Sequence, residues 1–184
     1  MPPRPYGVYV HFPWCTFRCP YCDFAVTTAR PVPGARYARA VLAELEARAA
    51  AFEGLTCRTL YLGGGTPSLW EPERLGEVVA AVRRLGLPGG AEVTLEANPE
   101  SVDAARLAAW RAAGVNRLSL GVQSFDAEVL RQLGRRHGPD DAERALRLAA
   151  ALGNVSVDLI YGARRSTAAT ARLDARRAAA LGAT

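Results

Sequence analysis

The chain contains no lysine: all 23 of its basic residues are arginine, and against 18 acidic residues they leave a formal net charge of +5. A nucleic-acid surface would gather those arginines into one patch, whereas here they are spread along helix-like stretches rich in alanine and read as compositional bias. Also missing is any apolar run long enough to span a bilayer, and the opening Met1-Pro2-Pro3-Arg4-Pro5 has no apolar segment of signal-peptide type. These absences predict a cytoplasmic chain with no nucleic-acid partner and no stable membrane insertion. Cysteine is scarce as well, and three of the four cysteines fall within eight positions. That crowding argues against a disulfide framework and for a metal site in a reducing compartment. What is plentiful is apolar side chain, 49% of 184 residues, enough for one core of ordinary size.

The crowded cysteines are Cys15, Cys19 and Cys22, in Cys-Thr-Phe-Arg-Cys-Pro-Tyr-Cys. Three thiolates can hold three irons of a 4Fe–4S cluster, and the fourth iron is then open to a small molecule, an arrangement suited to catalysis more than to simple electron transfer. Cys57 stands alone at the start of a strand-like run and reads as a small core hydrophobe.

Short β-like runs alternate with amphipathic stretches. Strands are expected over Gly7–Phe12, Arg58–Leu62, Glu92–Glu96, Arg117–Leu120 and Val155–Ile160, each followed by a helix-compatible segment. One helix is expected over Tyr37–Phe52, with Val41, Leu42, Leu45, Ala49 and Phe52 on its buried face. Another starts at Pro72, with Glu71 and Glu73 beside its positive end, and stops near Gly86. Further helices run from about Val102 to Ala113 and from Pro139 to Leu152, each closed by a glycine. The class is α/β with about five β/α units.

Several motifs, in order, carry a resemblance: Tyr9-Val-His-Phe-Pro-Trp-Cys15, Tyr21-Cys-Asp-Phe24, Gly63-Gly-Gly-Thr-Pro-Ser68, Glu96-Ala-Asn-Pro-Glu100, Ser119-Leu-Gly-Val-Gln-Ser-Phe125 and Asp158-Leu-Ile-Tyr-Gly162. From about Tyr6 to Gly162 the chain resembles the radical S-adenosylmethionine (SAM) superfamily, and within it the oxygen-independent coproporphyrinogen oxidase-like group. True oxidases of that group carry a further cysteine where this chain has Phe24, so the resemblance points to the heme-chaperone branch.

The resemblance implies a partial barrel of six β/α units, with the site at the C-terminal strand ends, followed by a smaller domain. It implies a 4Fe–4S cluster on Cys15, Cys19 and Cys22, reductive cleavage of SAM to a 5′-deoxyadenosyl radical, and heme as cargo for acceptor proteins, with an electron donor as a further partner. Tyr9 and Tyr21 match positions that contact SAM, and Gly64, Gly65 and Thr66 match those serving its methionine part. Glu96 and Arg135 match charged partners of its amino-acid portion, and Gln123 and Asp158 match ribose-side contacts. Read from the residues alone, the glycine run lets backbone approach a ligand, and no phosphate-loop Lys-Ser/Thr follows it. His11 reads as a hydrogen-bonded structural residue; His137 matches a family position, but heme ligation there is the disfavoured reading, because the His-Asn-x-x-Tyr-Trp motif that the branch ties to heme binding is absent from this sequence.

Residues 1–162 are thus expected to form the radical SAM core, incomplete at the sixth unit and without the C-terminal domain of that branch. Residues 163–184, mostly Ala and Arg with Asp174 the one acidic residue, depart from the family pattern. A reading-frame slip or truncated gene, and a natural Ala/Arg-rich helix, both account for that tail. Decarboxylation of coproporphyrinogen III and an inactive fragment remain the competing functional readings.

Overall fold

The computed structural model describes residues 4–184. Five strands, β1 (Pro5–Phe12), β2 (Thr56–Gly64), β3 (Glu92–Ala97), β4 (Arg117–Gln123) and β5 (Val155–Leu159), form one parallel sheet in sequential order. Crossovers of one hand between consecutive parallel strands place their helices on the same side of the sheet. The sequence obeys this asymmetry. Register aligns Val10 with Leu62, Leu62 with Leu95, Leu95 with Leu118 and Leu118 with Val155, an apolar row buried at the centre of the core. The alternate positions Tyr61, Thr94 and Arg117 form a polar row on the opposite face. A sheet with one apolar and one polar face is half of a barrel wall, and the polar concave side is left for a ligand.

The helices are α1 (Gly34–Arg48), α2 (Pro72–Arg84), α3 (Ala104–Ala112), α4 (Ala127–Gln132), α5 (Pro139–Ala150) and α6 (Ala168–Ala180). Pro72 opens α2 as expected and Asp103 caps α3 by accepting from Arg106 N, while Glu71 makes no side-chain cap. α1 differs from expectation. It starts three residues before Tyr37 and gives way at Ala49 to a short 3₁₀ turn, and only Gly34 and Ala38 are fully buried. It packs chiefly against α2; Val41, Leu42 and Leu45 are half-buried, and Phe52 stays 37% exposed against Tyr6.

The tail is helical. Thr167 and Thr170 cap each other's backbone at the start of α6, Ala178 and Leu181 join the main core, and Thr184 N donates to Val155 O at 2.8 Å. The boundary expected at Gly162 is therefore one of composition, and packing is continuous across it.

Candidate functional site

Beyond Phe12 the chain leaves the sheet and loops over its C-terminal edge. Cys15 N donates to Thr27 O, and Thr27 N to Pro13 O, so the cysteine loop closes on itself like a clasp. Under its entry lie the rings of Phe12, Trp14, Tyr37 and Trp70, with neighbouring centroids 5.0–6.0 Å apart. Arg30 and Arg18 donate from the sides to the carbonyls of Cys15 and Cys22.

Below the loop opens a cavity of about 630 Å³, in the range of small-molecule sites. Cys15, Cys19 and Cys22 line it together with Tyr21, Gly65, Thr66, Glu96, Gln123, Arg135 and Asp158, so residues from the loop and from the ends of β2 to β5 meet at one place. Tyr9 and Gly64 are not among the lining residues. Tyr9 is 56% exposed, stacks on Tyr61 and bonds to His11 Nδ1 at 3.1 Å, and Gly64 instead donates its N–H to Glu96 Oε2 at 2.9 Å.

Glu96 is the most constrained carboxylate of the site. Tyr61 donates to Oε1 at 2.8 Å, and burial, with the nearby Asp158 charge, pushes its carboxyl above the usual range despite those donors. Asp158 accepts from Ser119 Oγ at 3.0 Å; burial raises its pKa also, while Arg117 and Arg135 oppose the shift. The raised Tyr61 pKa has burial as its first cause and its bond to Glu96 as the second.

Arg135 ties the cavity wall to the cysteines. Its Nη2 donates to Asn98 Oδ1 at 2.6 Å and to Gly121 O at 2.8 Å, and its Nη1 lies 3.6 Å from Cys19 Sγ and 3.4 Å from Tyr21 Oη. Burial pushes the Tyr21 hydroxyl up to about 12 although Arg135 pulls it down. Thr66 Oγ1 donates to Cys15 Sγ at 3.5 Å, and Asn98 Nδ2 reaches Thr66 in turn. The sequence reading missed Tyr61, Asn98 and Ser119. Their signal was the polar position at a strand end or on the concave row.

A 4Fe–4S cluster fits these residues. All four cysteines are free thiols, and donors from Thr66 and Arg135 point at two of the three sulfurs, where they favour thiolates. Among the described residues no three His, Cys, Asp or Glu side chains converge on a single ion. A cluster does not need that convergence, since each thiolate takes its own iron. The glycines make room: a Cβ on Gly65 would stand 2.9 Å from Cys15 Sγ and 2.7 Å from Trp14 O.

His137 is not available to heme as it stands. Its side chain is fully buried, Nε2 bonds to Val122 O at 3.0 Å and Nδ1 faces Glu100 Oε2 at 3.3 Å, so both nitrogens point into protein. The geometry agrees with the reading that disfavours heme ligation there, and gives the side chain a structural role. His11 is structural as expected, bonded to Ala25 O at 2.9 Å. Cys57 is buried in the core, remote in the sheet from the cysteine loop.

The radical SAM superfamily profile matches residues 9–174, nine-tenths of the chain and well into the tail. The chain belongs to that superfamily. Membership implies a 4Fe–4S cluster and SAM as the groups such a site serves. Among curated relatives, a protein named heme chaperone HemW from Escherichia coli is 44% identical over 162 residues, covering 86% of this chain and 43% of the relative. HemW of Mycobacterium tuberculosis is 46% identical over 168 residues, covering 88% and 43%. A bovine mitochondrial relative, radical S-adenosyl methionine domain-containing protein 1, is 44% identical and matched over 36% of its length. The solved E. coli coproporphyrinogen III oxidase HemN, a radical SAM enzyme, superimposes with a TM-score of 0.85 at 30% identity, across 100% of this chain and 43% of that one. The chain thus spans about 43% of the bacterial relatives it resembles. No described helix is long and apolar enough to cross a membrane.

Proposed function

We propose that this chain holds a 4Fe–4S cluster on Cys15, Cys19 and Cys22, binds SAM in the adjoining cavity, and serves a cytoplasmic heme chaperone of the HemW type that passes heme to acceptor proteins. The observation that carries the reading is the meeting of three cysteines with Glu96, Gln123, Arg135 and Asp158 around one cavity at the strand ends. The cluster and SAM, when bound, supply one-electron chemistry at the sulfonium carbon. The protein's part is to orient and to exclude water. Glu96, fixed by Tyr61 and Gly64 N, presents a carboxylate to a cationic amino group; Arg135 offers a guanidinium to a carboxylate; Asp158 and Gln123 suit ribose hydroxyls. Gly65 and Thr66 serve the methionine part, and Gly64 serves it indirectly through Glu96. Tyr9 acts on the same carboxylate from further out, through its stacking on Tyr61. Residues 1–162 supply the core of the site.

Heme as cargo rests on the HemW relatives, and no heme ligand is assigned. The likeness to HemN favours coproporphyrinogen decarboxylation as a second reading, against which stands Phe24 at the place of the oxidases' further cysteine.

Anaerobic reconstitution tests these statements. We expect about four irons per chain, lost on Cys15→Ala, Cys19→Ala or Cys22→Ala and kept on Cys57→Ala. Equal loss at Cys57 would overturn the ligand set. Reconstituted protein that retains heme and forms no protoporphyrinogen supports the chaperone reading; protoporphyrinogen formation would replace it with the oxidase.

A further inference from the structure

Asp174 lies on α6, in the Ala/Arg-rich tail, yet it is only 5% exposed and makes no ion pair among the described residues. A buried carboxylate is costly unless its oxygens are hydrogen-bonded. Both are: Oδ2 accepts from Ser124 Oγ at 2.6 Å and Oδ1 from Phe125 N at 2.9 Å. Ser124 Oγ also accepts from Asp126 N at 3.0 Å, so one carboxylate fixes the whole turn between β4 and α4.

That turn begins at Gln123, the one described non-glycine residue with a left-handed backbone, at φ 67°. The sheet register breaks between Leu120 and Gln123, and Gln123 O accepts from Ile160 N at 2.9 Å, which draws the end of β5 and its Asp158 to the same corner. The Gln123 side chain folds back over Gly121, where a Cβ would stand 2.9 Å from Nε2. Gly121 O holds Arg135. A backbone this unfavourable for glutamine persists only where its surroundings impose it, and such sites cluster where function needs them.

We infer that Asp174 is a positioning residue for the SAM site: from the tail helix it holds the left-handed turn that aims the Gln123 carboxamide into the cavity. The inference rests on the proposal that Gln123 contacts SAM. It also gives the tail a purpose, because α6 brings the carboxylate that the turn lacks.

The test compares SAM affinity by anaerobic titration calorimetry for the reconstituted chain, Gln123→Ala, Asp174→Ala, Asp174→Asn and the double variant Gln123→Ala/Asp174→Ala, with iron content as the check on folding. Each alanine variant should weaken SAM about tenfold, the worth of one good hydrogen bond, with iron unchanged. The double variant should be no weaker than the worse single one, since both act through one contact. Asp174→Asn keeps an acceptor for Phe125 N and should recover most of the affinity. Hydrogen exchange of metal-free protein should show faster exchange at residues 123–126 in Asp174→Ala. If Gln123→Ala weakens SAM while Asp174→Ala does not, or if the two losses multiply, the positioning role is overturned and the SAM assignment stands. If Gln123→Ala leaves SAM affinity unchanged, the SAM assignment of Gln123 fails, and the positioning role falls with it.

Discussion

Glu96 sits between two demands, since the proposed contact with a cationic amino group needs it ionised while burial penalises the charge. Burial is the first cause of its raised pKa, ahead of the Asp158 charge, and the donors Tyr61 and Gly64 N only partly offset it. A carboxyl whose folded pKa lies above its unfolded value contributes stability that is complete below the unfolded value and is lost as pH rises through the folded one. Glu96→Gln should therefore gain on the parent in metal-free protein between about pH 4 and about pH 7. Thermal melts at both ends check this, and a melting difference that does not change with pH would show that the charge costs nothing there. If the proposed SAM contact holds, the same change should weaken SAM binding, read by anaerobic titration calorimetry. Much at this scale was legible: the cysteine spacing, the glycine run and Glu96 stand in runs with recognisable chemistry. Tyr61 and Ser119 were hidden because an isolated polar residue in a strand looks like ordinary alternation until the register places it on the concave row beside Glu96 and Asp158.

The elements hold the cysteine loop through aromatic packing. Trp70, 1% exposed, packs on Phe12 and Tyr37 and donates its indole N–H to Gly34 O at 3.1 Å, fastening the start of α1 to the approach of α2. Tyr37 donates from α1 to His11 O, the last carbonyl but one of β1. Truncating a fully buried tryptophan leaves a large cavity, and Trp70→Ala should lose about 3–5 kcal/mol, with Trp70→Phe losing distinctly less. Urea unfolding measures both, and a loss below about 1 kcal/mol would mean that the aromatic group is not a structural anchor. Strands were legible within about two residues, except that β4 runs three residues past the expected Leu120 to Gln123, because five apolar runs are bounded by glycine, proline or charge. α4 was not: at six residues it is too short to show a helical period, and it exists through Asp126, which accepts from Glu128 N at 2.9 Å and Val129 N at 3.1 Å. α1 was read too deep, since periodicity gives the face of a helix but not what that face packs on, which here is chiefly α2.

At the scale of the molecule the open question is the sheet's edges. Among the described residues β1 pairs only with β2 and β5 only with β4, so two parallel edge strands offer unpaired backbone groups to any neighbouring chain. The β5 edge is partly closed: Thr184 N donates to Val155 O, and Thr184 Oγ1 accepts from Val155 N at 3.3 Å. From Ser156 to Leu159 no such cover is present among the described contacts. Parallel sheets are ordinarily shielded on both faces and flanked by further strands, and the HemW and HemN relatives are more than twice as long as this chain. We therefore expect the isolated 184-residue polypeptide, with these edges open, to form oligomers or aggregates in size-exclusion chromatography with light scattering. A compact monomer that melts cooperatively would instead mean that α6, anchored through Asp174 and Thr184, seals the edge by itself, and the association expected from an open strand would have to be abandoned.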